Sequence, residues 1–169
     1  GGTSRGREGL LMARALERGD LEAARERLPH LCARDPRGLD AEGLARAVVE
    51  SVAENTSDAS VAPLFWGAVA GIPGLMMYRA VNTLDAMVGY RSPRYERFGW
   101  AAARLDDVAN WAPARITGGL VVLCSGREAW RVLRRDGARH PSPNAGRCEA
   151  AFAGALGVRL GGVNRYGGR

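Results

Sequence analysis

The alternation of polar and apolar positions along this chain breaks down once. From Ala59 to Tyr78 twenty consecutive residues carry no charge, while acid and amide side chains crowd the two ends of the block. Glu50, Glu54, Asn55 and Asp58 stand before it; Arg79, Asn82 and Asp85 follow it. A soluble helix spreads its charges over one face, whereas here they collect at the ends of an apolar segment. The block has the length of a spanning helix, which needs roughly 20 residues. Pro63, Gly67, Gly71, Pro73 and Gly74 interrupt it, and Ile72-Pro73-Gly74 reads as a turn. A single kinked span would leave the two polar clusters about 30 Å apart on opposite membrane faces. A re-entrant hairpin turning at Pro73-Gly74 would return both clusters to one face, and a pair of helices buried in a soluble core has the same composition. Broken segments are tolerated where protein or a polar cavity surrounds them. Arg-rich stretches flank both sides, as on the cytoplasmic side of membrane proteins, which favours the hairpin.

The remaining pattern is helical throughout. Arg7 to Arg18 predicts a short helix stopped by Gly19, with Asp20 capping the next. Pro29 and the Arg34–Gly38 turn end that second helix, and Asp40 caps a third from Ala41 to about Glu54. Residues 1–48 thus read as a solvated helical hairpin, residues 49–126 as an apolar core with polar clusters, and residues 127–169 as a basic helix and glycine-rich tail. All belong to one helical domain, 1–169. Ile116 to Gly126 is a second apolar run, too short to span alone. Arg127 to Arg139 predicts a basic amphipathic helix, and EAAFAGALG a small-residue helix. The fold class expected is all-α and membrane-associated, as a fragment of a multi-pass protein.

Composition narrows the chemistry. Net charge is +6, and all 24 basic residues are Arg. Without lysine there is no Schiff-base partner for pyridoxal phosphate and no lysine-bearing phosphate loop. Cys32, Cys124 and Cys148 are widely spaced and odd in number, which argues against a disulfide framework or structural zinc. The N-terminal GGTSRGREGLL lacks the apolar core of a signal peptide. Tyr95, Phe98 and Trp100 lie among arginines without forming a nucleic-acid motif, so nucleic acid is not an expected partner.

Several constellations can carry chemistry. Glu50, Glu54 and Asp58 recur at i, i+4 and i+8, a stripe on a continuous helix; with Asn55 they would bind magnesium, which uses one or two carboxylates plus substrate phosphate. Asn82 and Asp85, with Arg79 on the same face, would hold a phosphate and its metal. Arg104, Asp107 and Asn110 repeat that triplet of cation, acid and amide. His140, in a His-Pro turn, is the natural proton carrier near neutrality, with Asn144 close behind. Asn164 and Arg165, between Gly161-Gly162 and Gly167-Gly168, suggest an anion-binding loop.

The strings VESVAENTSD, APLFW, YRAVNTLDAMVGYR, FGWAAARLDDVANW, RHPSPNAG, EAAFAGALGVRLGG and NRYGG resemble the CobD/CbiB family of cobalamin biosynthesis, from Met12 onward. The resemblance implies a multi-pass protein of the bacterial inner membrane whose site faces the cytoplasm. It implies ATP-dependent ligation of aminopropanol, or aminopropanol phosphate, to adenosylcobyric acid as an amide, with ATP and magnesium as cofactors and no pyridoxal phosphate. Membrane lipid and other corrinoid-pathway membrane enzymes are the further partners implied. On this reading His140, Asp85 and Asp107 are the catalytic groups, while Arg79, Asn82, Arg104, Asn110, Asn144, Asn164 and Arg165 bind substrate and phosphate. The alternative is a non-catalytic helical membrane scaffold binding an anionic partner. Arg147-Cys148 stands where the family has an aromatic and a proline, and Ala59 where it has glycine. A hydrophobic N-terminal region and a further apolar segment after NRYGG are also expected of the family.

Overall fold

The computed structural model describes residues 2–32, 34–89 and 96–161. Those residues are all-α, with helices α1 (Gly2–Glu17), α2 (Leu21–Arg27), α3 (Ala41–Thr56), α4 (Ala62–Val88), α5 (Glu96–Ala109), α6 (Trp111–Ser125), α7 (Arg127–Asp136) and α8 (Ala145–Leu156). Both predicted caps form. Asp20 accepts from the Ala23 N–H at 3.0 Å and Asp40 from the Gly43 N–H at 2.8 Å, each satisfying a donor that the first helical turn leaves unpaired.

The first forty-odd residues are not a solvated hairpin. Met12, Ala15, Ala24, Leu28, Leu31, Leu44 and Ala47 from α1, α2 and α3 close a small core of their own. The mixed charges of LEAARERL conceal it, because only Ala24 and Leu28 of that stretch need face inward. Behind this core Arg34 and Glu50 form a buried ion pair at 2.6 Å. The other Glu50 oxygen accepts from the Gly161 N–H at 2.7 Å, fastening the segment after α8 to α3.

Between α3 and α4 the helix widens into one π-helical turn, Ser57–Val61, so the backbone runs from Ala41 to Val88 with a single true break. That stretch is long and apolar enough to cross a membrane, yet only 11% of its most apolar window is buried inside the protein. A core helix of a soluble domain would be mostly buried. The break lies at Ala70 (φ −133°, ψ 18°) and Gly71 (φ 63°, ψ −155°), where the chain turns back on itself. Glycine alone adopts the second of these without strain. The turn thus falls just before the expected Pro73-Gly74. Pro73 instead opens the second arm, where a missing N–H costs nothing.

The two arms pack closely. A Cβ on Gly74 would stand 2.5 Å from the Trp66 carbonyl and 2.7 Å from the Ala70 Cβ. At the open end the Tyr78 hydroxyl reaches the Asp58 carbonyl at 3.1 Å across twenty residues, a closure a continuous helix forbids. The segment is therefore a hairpin and not a continuous span, and both polar clusters lie at the same end. From Ala59 to the bend the arm is about 18 Å long at 1.5 Å per residue, short of the ~30 Å hydrocarbon core. Its tip is bare: Val69, Ile72 and Met76 are each more than half exposed. Gly74→Val should splay the arms and lower unfolding stability by about 1–3 kcal/mol, as overpacking does elsewhere. A denaturation midpoint equal to wild type would show that the arms do not need this contact.

α5 returns along the hairpin, and the Trp66 indole donates to the Ala109 carbonyl at 3.0 Å. α6 and α8 then pack beneath the π-turn, while α7 lies on α8 so tightly that a Cβ on Gly154 would sit 2.7 Å from the Ala129 Cα.

Candidate functional site

The site grows from the open end of the hairpin. Tyr78, fully buried, lies 3.1 Å from the Asp58 carbonyl and 3.0 Å from the Asn110 Oδ1, and its hydroxyl donates to these acceptors. The Asn110 amide passes its own N–H to Asp106 at 2.9 Å, and the Asn82 amide donates to the second Asp106 oxygen at 3.2 Å. Asp106 is thus clamped at both oxygens by amides from α4 and from the start of α6. Asn82 also faces Asp58, whose acidic neighbours are Glu54, Asp106 and Asp85. None of Asp58, Asp85 and Asp106 joins an arginine in the ion pairs among the described residues. Burial pushes Asp106 above the usual carboxylate range, the two amides pull it back, and Asp107 nearby pushes it up again.

Beside this cluster lies a polar cavity of about 30 Å³, walled by Glu54, Ser57, Asp58, Asp106, Asn110 and Asn144, among others. Asn144 reaches it from the turn before α8. Its amide donates to the Asp107 carbonyl at 2.8 Å, and its Oδ1 is buried with no hydrogen-bond partner. The Ser57 hydroxyl, also buried, lies against the Cys148 thiol. An unsatisfied buried oxygen is costly, and the Asn144 Oδ1 facing a polar cavity marks a place built for something that donates or is positively charged.

The sequence-predicted residues divide as follows. Asp58, Asn82, Asp85, Asn110 and Asn144 come together here. Glu50 does not join the stripe, because Arg34 and Gly161 occupy its oxygens. Asn55 donates to the Ser51 carbonyl at 2.7 Å, one turn back on its own helix. Glu54 and Asp58 stay together on the cavity wall, so Glu50 alone leaves the stripe. Among the described residues no three His, Cys, Asp or Glu side chains converge as a metal-binding group. Arg79 is exposed at the edge of the cluster. Arg104 and Asp107 face each other at 3.7 Å, with Arg104 64% exposed, so that pair is a surface contact. Asp106 holds the position predicted for Asp107. A signal for it was present: Ala102, Asp106 and Ala109 fall at i, i+4 and i+7, and both alanines are buried. His140 stands apart from the acid cavity, its Nδ1 accepting from the Ser142 N–H at 3.0 Å and its Nε2 lying 4.0 Å from Glu149. Asn164 and Arg165 lie outside the described residues.

The family model described as CobD/Cbib protein matches residues 1–169. The chain is 63% identical over 172 residues to the cobalamin biosynthesis protein CobD of Mycobacterium tuberculosis (strain CDC 1551 / Oshkosh), covering 98% of this chain and 55% of that protein. It is 54% identical over 160 residues to the protein of the same name from Rhodobacter capsulatus, covering 94% and 51%. For the Geobacter metallireducens protein of that name the identity is 53% over 168 residues, covering 96% and 53%. This chain belongs to the CobD/Cbib family. It spans about half the length of the curated relatives it matches. No solved structure matches it.

Proposed function

We propose that this chain acts in cobalamin biosynthesis, carrying the site of an ATP-dependent amide ligation that joins adenosylcobyric acid to aminopropanol or its phosphate. The observation that carries the reading is the cluster of Asp58, Asp85 and Asp106 at the hairpin's open end, none ion-paired to an arginine among the described residues, in a chain 63% identical to a protein named for cobalamin biosynthesis. The donor set fits magnesium. Apart from the Cys148 thiol, which burial pushes up to about 12 and so keeps protonated, the polar wall atoms are hard oxygens or amides, and the Asn144 Oδ1 is a buried acceptor in want of a donor or cation. Asp58 and Asp106, with Asn144, would hold the ion in the usual manner, by one or two carboxylates completed by water and substrate phosphate. Bound there, magnesium with ATP would neutralise phosphate charge while a carboxylate oxygen is converted into a leaving group.

The chain's own residues hold and orient. Asn82 and Asn110 fix the Asp106 carboxylate, so that its remaining lone pairs are set before any ligand arrives. Exposed Arg79, one turn before Asn82, offers its guanidinium to phosphate oxygens arriving from the open side. Tyr78 keeps the arms closed under the cluster. The exposed tip of the hairpin supports membrane association, with the flanking polar clusters left on the cytoplasmic side.

The test is mass spectrometry of adenosylcobyric acid incubated with aminopropanol phosphate, ATP, magnesium and membranes containing this chain. A product heavier by the amine less one water is expected. Its absence, under conditions where membranes with a full-length relative give it, would leave this chain as a helical scaffold.

A further inference from the structure

A second concavity is the larger opening of the described residues. It is a cleft of about 1290 Å³ between α7, α8 and the segment that follows α8. Its walls combine apolar Val132, Ala153, Val158 and Leu160 with a carboxyl and guanidinium groups that do not pair with each other. On the wall, Glu149 has a side chain only 14% exposed and makes no hydrogen bond among the described residues; its nearest cation-forming group is the His140 Nε2 at 4.0 Å. Towards solvent, Arg135 and Arg139 share the single carboxylate of Asp136, at 2.7 and 3.2 Å. Arg159, also on the cleft, joins no ion pair among the described residues. The cleft therefore presents one inward carboxyl and a surplus of outward guanidinium.

We propose that this cleft seats the amine substrate, with Glu149 receiving the ammonium and Arg159, helped by Arg135 and Arg139, receiving a phosphate at the other end of the same small molecule. This rests on the ligase reading above and assigns its two halves to two places: carboxyl activation at the acid cavity, amine delivery from the cleft. Ser142 lines both concavities, so the two are neighbours. A zwitterion with a positive and a negative end matches the cleft's charge pattern, whereas an uncharged alcohol end would leave Arg159 without use. The backbone is shaped for this arrangement. A Cβ on Gly146 would lie 2.3 Å from the His140 Cβ, so only glycine lets His140 settle against α8 beside Glu149.

The chemistry balances. A proton passes from the ammonium nitrogen to a Glu149 oxygen, and the freed lone pair forms the C–N bond to the activated carboxyl carbon. The bond from that carbon to its activated oxygen breaks, the electron pair departs with the oxygen, and that leaving oxygen takes the second nitrogen proton, so that a neutral amide remains. Burial, then the nearby Glu50 and Glu54, push Glu149 up to about 8, against a smaller pull from Arg34. That brings it nearer the range of an alkylammonium, where proton transfer is least uphill.

The experiment measures kcat and KM for each substrate in membranes carrying wild-type chain, Glu149→Gln and Arg159→Ala. Glu149→Gln should raise the KM for aminopropanol phosphate about tenfold or lower kcat by as much, with the KM values for ATP and adenosylcobyric acid unchanged. Arg159→Ala should raise the KM for the phosphorylated amine and leave that for aminopropanol as it was. Wild-type values for Glu149→Gln, or an equal rise in all three KM values, would overturn the assignment. If Glu149→Gln does not accumulate, Glu149→Asp and His140→Gln make the same distinction through the amine KM. If the wild-type chain makes no amide at all, the ligase reading falls, and saturation-transfer NMR with aminopropanol phosphate isolates the cleft. Signal lost in Glu149→Gln upholds the cleft as its seat, and equal signal in both chains rejects it.

Discussion

Replacing Asp106 with asparagine should reduce amide formation by at least about a hundredfold, the scale seen when one fixed electrostatic group is removed from an active site. The substitution changes one oxygen into a donor that faces the amides of Asn82 and Asn110, so one of the two clamps must break. Asn110 then loses its anchor, and with it the acceptor that helps hold the Tyr78 hydroxyl under the hairpin. Asp107→Asn is the control. Its carboxylate meets only the exposed Arg104, and surface pairs of this kind contribute roughly 0–1 kcal/mol. Rates within a few-fold of wild type are expected for it. Equal losses in the two variants, measured on membranes with matched protein, would mean that the clamp on Asp106 is not what sets the site.

The second large effect concerns stability. Arg34→Met leaves the Glu50 carboxylate buried without its cation, and breaking such a pair from one side typically costs about 3–5 kcal/mol. Arg34→Met combined with Glu50→Leu should recover much of the loss, because the cost lies in the orphaned charge more than in the missing attraction. Denaturant midpoints for the two single variants and the double variant give the coupling directly. Additive losses would show that the pair is not coupled. Glu50 also holds the Gly161 N–H, so the double variant retains a deficit from that lost contact.

What the sequence made legible follows from the range over which each feature is decided. The Asp20 and Asp40 caps were readable because cap and donor lie three residues apart. The hairpin was readable because proline and glycine punctuate an otherwise unbroken apolar run. Its bend was placed three residues late, since the positive φ that the turn requires falls on Gly71 and not on the more conspicuous Pro73-Gly74. Asp58, Asn82 and Asp85 were readable as neighbours because they crowd the two ends of a block that folds back on itself. Glu50 was misassigned because its partner lies sixteen residues away in a turn that no periodicity reports. Asp106 was passed over for its neighbour because an i, i+3 spacing was taken as the signal, while the structure uses i, i+4 from Asp106 to Asn110. Glu149 drew no notice at all. The only hint was a charge at the edge of an alanine-rich helix whose next seven residues carry none.

The bend at Ala70 and Gly71 also bears on how such a chain reaches its place. A segment that enters and leaves by the same surface never drags its flanking arginines and carboxylates through hydrocarbon, where each would cost about 2.5–3.5 kcal/mol at the midplane. A hairpin closed at its base by the Tyr78 contact would enter a leaflet tip first, with no stretch of polar chain to thread across.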